Sequence, residues 1–134
     1  MNLEHVAIWT NQLESLKAFY VNYFSGTANE KYVSMKDFNE HFESYFLSFD
    51  GGARLEIMQL NSIPQGDNAA GFQSTGLTHI SFSIETPAML DALYSRLKAD
   101  GVPIVGEPRM TGDGFYEACV LDPDGNRVEI AVVP

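Results

Sequence analysis

Along this chain, apolar positions alternate, shift to helical spacing, and alternate again, and the whole order occurs twice. Residues 3–10 alternate and predict a strand. Leu13, Leu16, Phe19, Tyr20 and Phe24 then recur at helical spacing. Asn11, with Glu14 three positions on, predicts the cap of that helix, and Gly26 predicts its stop. Strands are predicted near 28–36, 44–50 and 53–60, with Asp50-Gly51-Gly52 as the hairpin turn between the last two. The second half opens with a strand at 77–84. Thr86 caps the next helix and Pro87 takes its first position; the helix runs to about Asp100 and stops at Gly101. Strands near 102–109, 115–122 and 127–133 follow, the last two joined by the turn sequence Asp122-Pro123-Asp124-Gly125-Asn126.

The repetition extends to residue identity. Leu3-Glu4-His5-Val6 returns as Leu77-Thr78-His79-Ile80, 74 residues on. Gly52-Ala53-Arg54-Leu55-Glu56-Ile57 returns as Gly125-Asn126-Arg127-Val128-Glu129-Ile130, 73 residues on. Two matches at nearly one offset predict a duplicated unit of about 60 residues. One domain of two modules is expected, at about 1–61 and 75–134, with the polar, Gly- and Pro-containing stretch Ser62–Thr75 as their connection. Each module reads as βαβββ, which predicts an α+β fold.

Strand parity then singles out four residues. Val6 and Ile8 oppose His5; Leu55 and Ile57 oppose Glu56; Ile80, Phe82 and Ile84 oppose His79; Val128, Ile130 and Val132 oppose Glu129. Each matched strand thus offers one apolar face to a helix and one His or Glu to the other side. Ala7, Trp9, Met58, Leu60, Ala131 and Val133 share that other side, so it reads as a half-apolar concavity. A carboxylate there needs a partner or a ligated ion. Two histidines and two glutamates in step suit zinc, nickel, iron or cobalt rather than calcium. Pairing of Arg54 and Arg127 with the neighbouring glutamates is the alternative.

Composition narrows the setting. The chain has 134 residues, 45% hydrophobic and 19% charged, which suits a compact folded domain. A single cysteine, Cys119, forms no intrachain disulfide and no cysteine-rich metal site; it reads as a buried thiol. Net charge is −10, with nine acids and four bases in each half, so no basic patch offers itself to nucleic acid. No apolar run approaches the ~20 residues that span a bilayer, and no basic-then-apolar leader is visible; a reduced, cytoplasmic protein is expected.

The chain resembles the vicinal oxygen chelate superfamily. The resemblance rests on His5 opening the first strand, on Ser15-Leu16-Lys17-Ala18-Phe19-Tyr20, and on Asp122-Pro123-Asp124-Gly125-Asn126-Arg127-Val128-Glu129-Ile130. It implies paired βαβββ modules forming a curved mixed sheet around a metal ion. The order His5, Glu56, His79, Glu129 is similar to that of the glyoxalase I enzymes, or lactoylglutathione lyases. By that resemblance these four residues hold one divalent ion per site, nickel or cobalt ahead of zinc. Glu129 and Glu56 are then the catalytic bases, with Glu129 favoured. The implied substrate is the hemithioacetal of a 2-oxoaldehyde and a thiol, and the implied assembly a homodimer. Where glutathione-using relatives carry Arg, Asn and a second Arg, this chain has Trp9, Leu60 and Thr75. The expected wall is therefore more apolar, with Trp9, Arg109 and Tyr116 as candidate substrate contacts and His41 left in a polar loop. Other chemistries of the superfamily stay open, among them thiol transfer, epimerisation, dioxygenation and drug binding without catalysis.

Overall fold

The computed structural model describes residues 1–66, 73 and 75–134; the middle of the expected connection, 67–72 and 74, lies outside the described residues. The chain divides into two compact units, Met1–Asp67 and Asn68–Pro134.

The first unit contains β1 (His5–Trp9), α1 (Leu13–Phe24), β2 (Thr27–Ala28), β3 (Tyr32–Ser34), β4 (Phe42–Ser48) and β5 (Arg54–Leu60). Its sheet runs β1-β5-β4-β2, with β3 also on β4. β1 lies parallel to β5, while β4 is antiparallel to its neighbours. The second unit contains β6 (His79–Ser83), α2 (Pro87–Ala99), β7 (Ile104–Met110), β8 (Tyr116–Leu121) and β9 (Arg127–Val132). Its sheet runs β6-β9-β8-β7, with β6 parallel to β9. The expected α+β fold of two βαβββ modules is thus present, each module with its own mixed sheet.

Each helix covers one face of its sheet. α1 buries Leu13, Leu16, Phe19 and Tyr20 and packs on β4 and β5, where Leu47, Leu55 and Ile57 are buried. α2 buries Leu90 and Leu97 and packs on β7, β8 and β9, over Val120, Val128 and Ile130. Each such side chain contributes about 1.5–3 kcal/mol. The alternation read from sequence therefore faces as expected, and the His- and Glu-bearing sides are those away from the helices.

Three local expectations are corrected. Asn11 does not cap α1: its amide donates to Gln65 instead. The Thr10 hydroxyl accepts from Gln12 N–H, and Gln59 of β5 accepts from Leu13 N–H at 3.1 Å. The helix start is satisfied from the sheet, which no local pattern encodes. Gly26 is also not the left-handed stop. Ser25 takes that conformation, with φ 57°, and Gly26 N–H bonds Tyr20 C=O. Gly26 is needed for space, since a Cβ there would lie 3.1 Å from the Phe49 ring and 3.2 Å from Tyr20 O. Finally, the strand expected at 28–36 is split. Ala28 pairs Leu47 and Tyr32 pairs Ser44, so three residues (29–31) face two (45–46). Asn29 Oδ1 accepts from Phe46 N–H at 2.8 Å, replacing a ladder carbonyl across the bulge.

The 122–126 turn behaves as its sequence requires. Asp122 is buried and its carboxylate accepts from Asp124 N–H, Asn126 N–H and Asn126 Nδ2 at 2.9–3.0 Å. This fixes the entry of β9 and hence the position of Glu129. Asp122→Ala strands two backbone donors, and each hydrogen bond to a charged group is worth about 1.5–3 kcal/mol. Unfolding in urea should show at least that loss for one bond; a change below about 0.5 kcal/mol, the range of ordinary surface substitutions, would contradict this account of the turn.

Candidate functional site

Parallel pairing sets the first pair of candidate donors. β1 and β5 run in register with Ala7 opposite Glu56, so His5 and Glu56 share a face. His5 Nε2 lies 3.6 Å from Glu56 Oε2. The second unit repeats this: Ser81 stands opposite Glu129, and His79 Nε2 lies 3.7 Å from Glu129 Oε2. These gaps are longer than a hydrogen bond. They suit two atoms that each bind one ion at about 2.0–2.2 Å. Imidazole with carboxylate is also the donor chemistry of the borderline divalent metals. Among the described residues no group of three or more His, Cys, Asp and Glu is placed to hold a metal ion; the structure gathers the four candidates as two pairs, one per unit.

The surroundings of the pairs differ. In the first unit, Glu4 bonds His5 Nδ1, and Arg54 Nε donates to Glu4 at 2.6 Å. The His5 and Arg54 contacts hold the Glu4 carboxyl below the usual carboxylate range. Arg54 therefore pairs with Glu4, not Glu56. Phe46, opposite Glu56 in register, lies edge-on to His5 with centroids 5.4 Å apart and carries the Arg54 guanidinium 4.1 Å above its ring. In the second unit the Ser81 hydroxyl donates to Glu129 Oε1 at 2.8 Å. Cys119 stands opposite Glu129 in register. It is half-buried on that face rather than a core thiol, and burial raises the pKa of its thiol.

The expected substrate contacts separate. Trp9 lies on the His5 face, opposite Met58 in register. It meets Phe38 and Phe42 edge-on, with centroids 5.8 and 6.3 Å away, and Tyr32 lies 6.1 Å from Phe42. Leu60, opposite Phe42 in register, is buried. Arg109 is on the Glu129 side, brought opposite Glu117 by two register shifts in edge strand β7, and bonds it at 3.1 Å. Tyr116 does not join them. It stands opposite Val132, on the helix side, and donates to Asp91 of α2 at 2.8 Å. One step of strand parity separates it from Glu117, and sequence aromaticity alone does not resolve that step. His41 is exposed and pairs with Glu43 at 3.0 Å.

Sequence reasoning passed over Glu4, Ser81, Phe38 and Phe42. Ser81 was visible by parity, two positions past His79. Glu4 precedes its strand and Phe38 sits on the loop before β4, so neither carries a period to read.

Residues 2–130 match the Glyoxalase/Bleomycin resistance protein/Dioxygenase superfamily, and the chain belongs to it. The protein is similar to a glyoxylase/bleomycin resistance protein/dioxygenase domain from a Frankia species, with TM-score 0.80 and 18% identity over 100% of this chain and 98% of that one. A lactoylglutathione lyase from Agrobacterium tumefaciens shares the fold with TM-score 0.67 and 21% identity, over 97% and 92% of the two chains. A mutant of the fosfomycin resistance protein FosX from Listeria monocytogenes, complexed with Mn(II) and a dihydroxypropylphosphonic acid, does so with TM-score 0.71 and 22% identity, over 99% and 93%. No curated protein matches in sequence. Among the described residues no helix is long and apolar enough to cross a membrane.

Trp9 is the single tryptophan, so its fluorescence reports this patch directly. Phe38→Ala should expose the indole and shift emission to the red, whereas Tyr116→Phe, on the opposite face, should leave emission unchanged. An unshifted spectrum for Phe38→Ala would contradict the placement of Phe38 against Trp9.

Proposed function

We propose that this protein is a metal-dependent lyase of the glyoxalase type, acting on the hemithioacetal of a 2-oxoaldehyde and a thiol. The observation that carries this reading is the duplication: one His–Glu pair, on equivalent strands, recurs in both units at 3.6 and 3.7 Å. Two pairs supply the His5, Glu56, His79, Glu129 set for one divalent ion, with nickel or cobalt preferred and zinc the alternative. This reading requires the pairs to meet, within a chain or across a homodimer; β1 and β6 are edge strands, which proteins usually pair or cover.

When bound, a divalent ion supplies Lewis-acid stabilisation of negative charge developing on the substrate oxygens. The chain supplies the proton transfer. Glu129 takes the proton from the hemithioacetal carbon and a proton returns to the neighbouring carbon, giving the isomeric 2-hydroxyacyl thioester with no external oxidant or reductant. Glu56 is the second carboxylate, available to the opposite stereochemistry. Ser81 holds one Glu129 oxygen and leaves the other directed at His79. His5 and His79 complete the donor set.

The aromatic patch bears on substrate choice. Trp9 follows His5 by four strand residues, about 13 Å, and Met58 follows Glu56 by two, about 7 Å. A substrate seated at the pair reaches Trp9, Phe38 and Phe42 with its remaining arm, so an apolar arm is favoured over the charged arms of glutathione. Losing two hydrogen bonds to a charged thiol at about 1.5 kcal/mol each weakens binding about a hundredfold.

The test is metal analysis of the purified protein, then kcat/KM for methylglyoxal adducts of glutathione and of apolar thiols in the nickel, cobalt and zinc forms. Turnover is expected to be metal-dependent, with the glutathione adduct below the ~10⁶ M⁻¹s⁻¹ of efficient enzymes. Glu129→Gln should abolish most turnover while metal is retained. Metal bound with no turnover of any adduct would overturn the lyase reading and favour another reaction of the superfamily. Glutathione turnover above that value would overturn the substrate preference.

A further inference from the structure

We propose that Glu4, held by Arg54, is a positioning residue that fixes the tautomer of His5 and aims its Nε2 lone pair at the Glu56 side. A neutral imidazole has one donor nitrogen and one acceptor nitrogen, and an ionised carboxylate only accepts. Glu4 Oε2 faces His5 Nδ1, so that nitrogen carries the proton. Nε2 is left as the acceptor, and it is the nitrogen that lies 3.6 Å from Glu56 Oε2.

Glu4 is itself held in place. Its other oxygen, Oε1, accepts from Arg54 Nε at 2.6 Å and also meets the terminal guanidinium nitrogen. Arg54 N–H donates to the Glu4 carbonyl at 2.8 Å, so the two residues are tied through the backbone as well. Phe46 closes the set: the guanidinium lies over its ring and His5 stands edge-on to it. Glu4, His5, Arg54 and Phe46 therefore constrain one another.

The second unit makes the assignment specific. Thr78 replaces Glu4 in the repeat, and Cys119 takes the register position of Phe46. Among the described residues His79 has its Glu129 contact but no carboxylate at Nδ1. That unit instead fixes its carboxylate, through Ser81, where the first unit has Ala7. One module orders its histidine and the other its glutamate. Histidines that bind metals generally donate their second ring N–H to such a partner, and removing it costs 10–100-fold in metal affinity. The effect on metal binding rests on the reading given under Proposed function; the effect on the tautomer does not.

Two measurements decide it. Nitrogen-15 shifts of the neutral His5 ring in the metal-free protein should place the proton on Nδ1 in the wild type. Glu4→Ala should shift it towards Nε2, with His79 unmoved. Nickel titration should show affinity falling about 10–100-fold in Glu4→Ala. Glu4→Gln, whose amide oxygen still accepts, should recover most of that loss, and Thr78→Ala should match the wild type. A His5 proton on Nε2 in the wild type, or a wild type that binds nickel with Glu4→Ala binding it equally tightly, overturns the proposal. A wild type that binds no nickel, yet shows the tautomer change in Glu4→Ala, supports the positioning role while removing the metal reading beneath it.

Discussion

The parallel pairing of the first and last strand of each unit is the constraint on which the rest depends. A parallel ladder places residues from distant parts of a module side by side, and the two-residue period decides which face each occupies. With Ala7 opposite Glu56 and Ser81 opposite Glu129, each histidine and glutamate of a unit fall on one side. A slip of one residue would send the glutamate under the helix and Leu55 or Val128 into the open. Burial of those aliphatics, both nearly inaccessible, is what forbids the slip. The face that carries the His–Glu pairs is therefore fixed by apolar packing on the opposite face.

That coupling explains what was legible in the sequence. Alternation and helical spacing are consequences of burial, so β1, β5, β6, β9 and both helices could be read directly, together with the sidedness of His5, Glu56, His79 and Glu129. The turns at Asp50-Gly51-Gly52 and 122–126 were legible because their conformations demand particular residues; Gly51, Gly52 and Gly125 all have positive φ. Features set by contacts between distant segments were not legible. The α1 start depends on Gln59, and the break after Ala28 on Asn29 reaching Phe46. Neither leaves a local period or motif.

Duplication also lets the two modules diverge without losing their common plan. Both keep the His–Glu spacing, yet the neighbouring positions differ in kind: Glu4, Ala7 and Phe46 in one, Thr78, Ser81 and Cys119 in the other. The first module adds an aromatic patch beside its pair. The second carries the Arg109–Glu117 ion pair on the corresponding side.

The central claim is that the two His–Glu pairs serve one ion rather than two. X-ray absorption of the nickel-loaded protein, combined with nickel content per chain, tests this most directly. The account predicts one nickel per chain with two imidazole ligands, falling to one imidazole in either His5→Ala or His79→Ala. Two nickel ions per chain, each with a single imidazole, would contradict it.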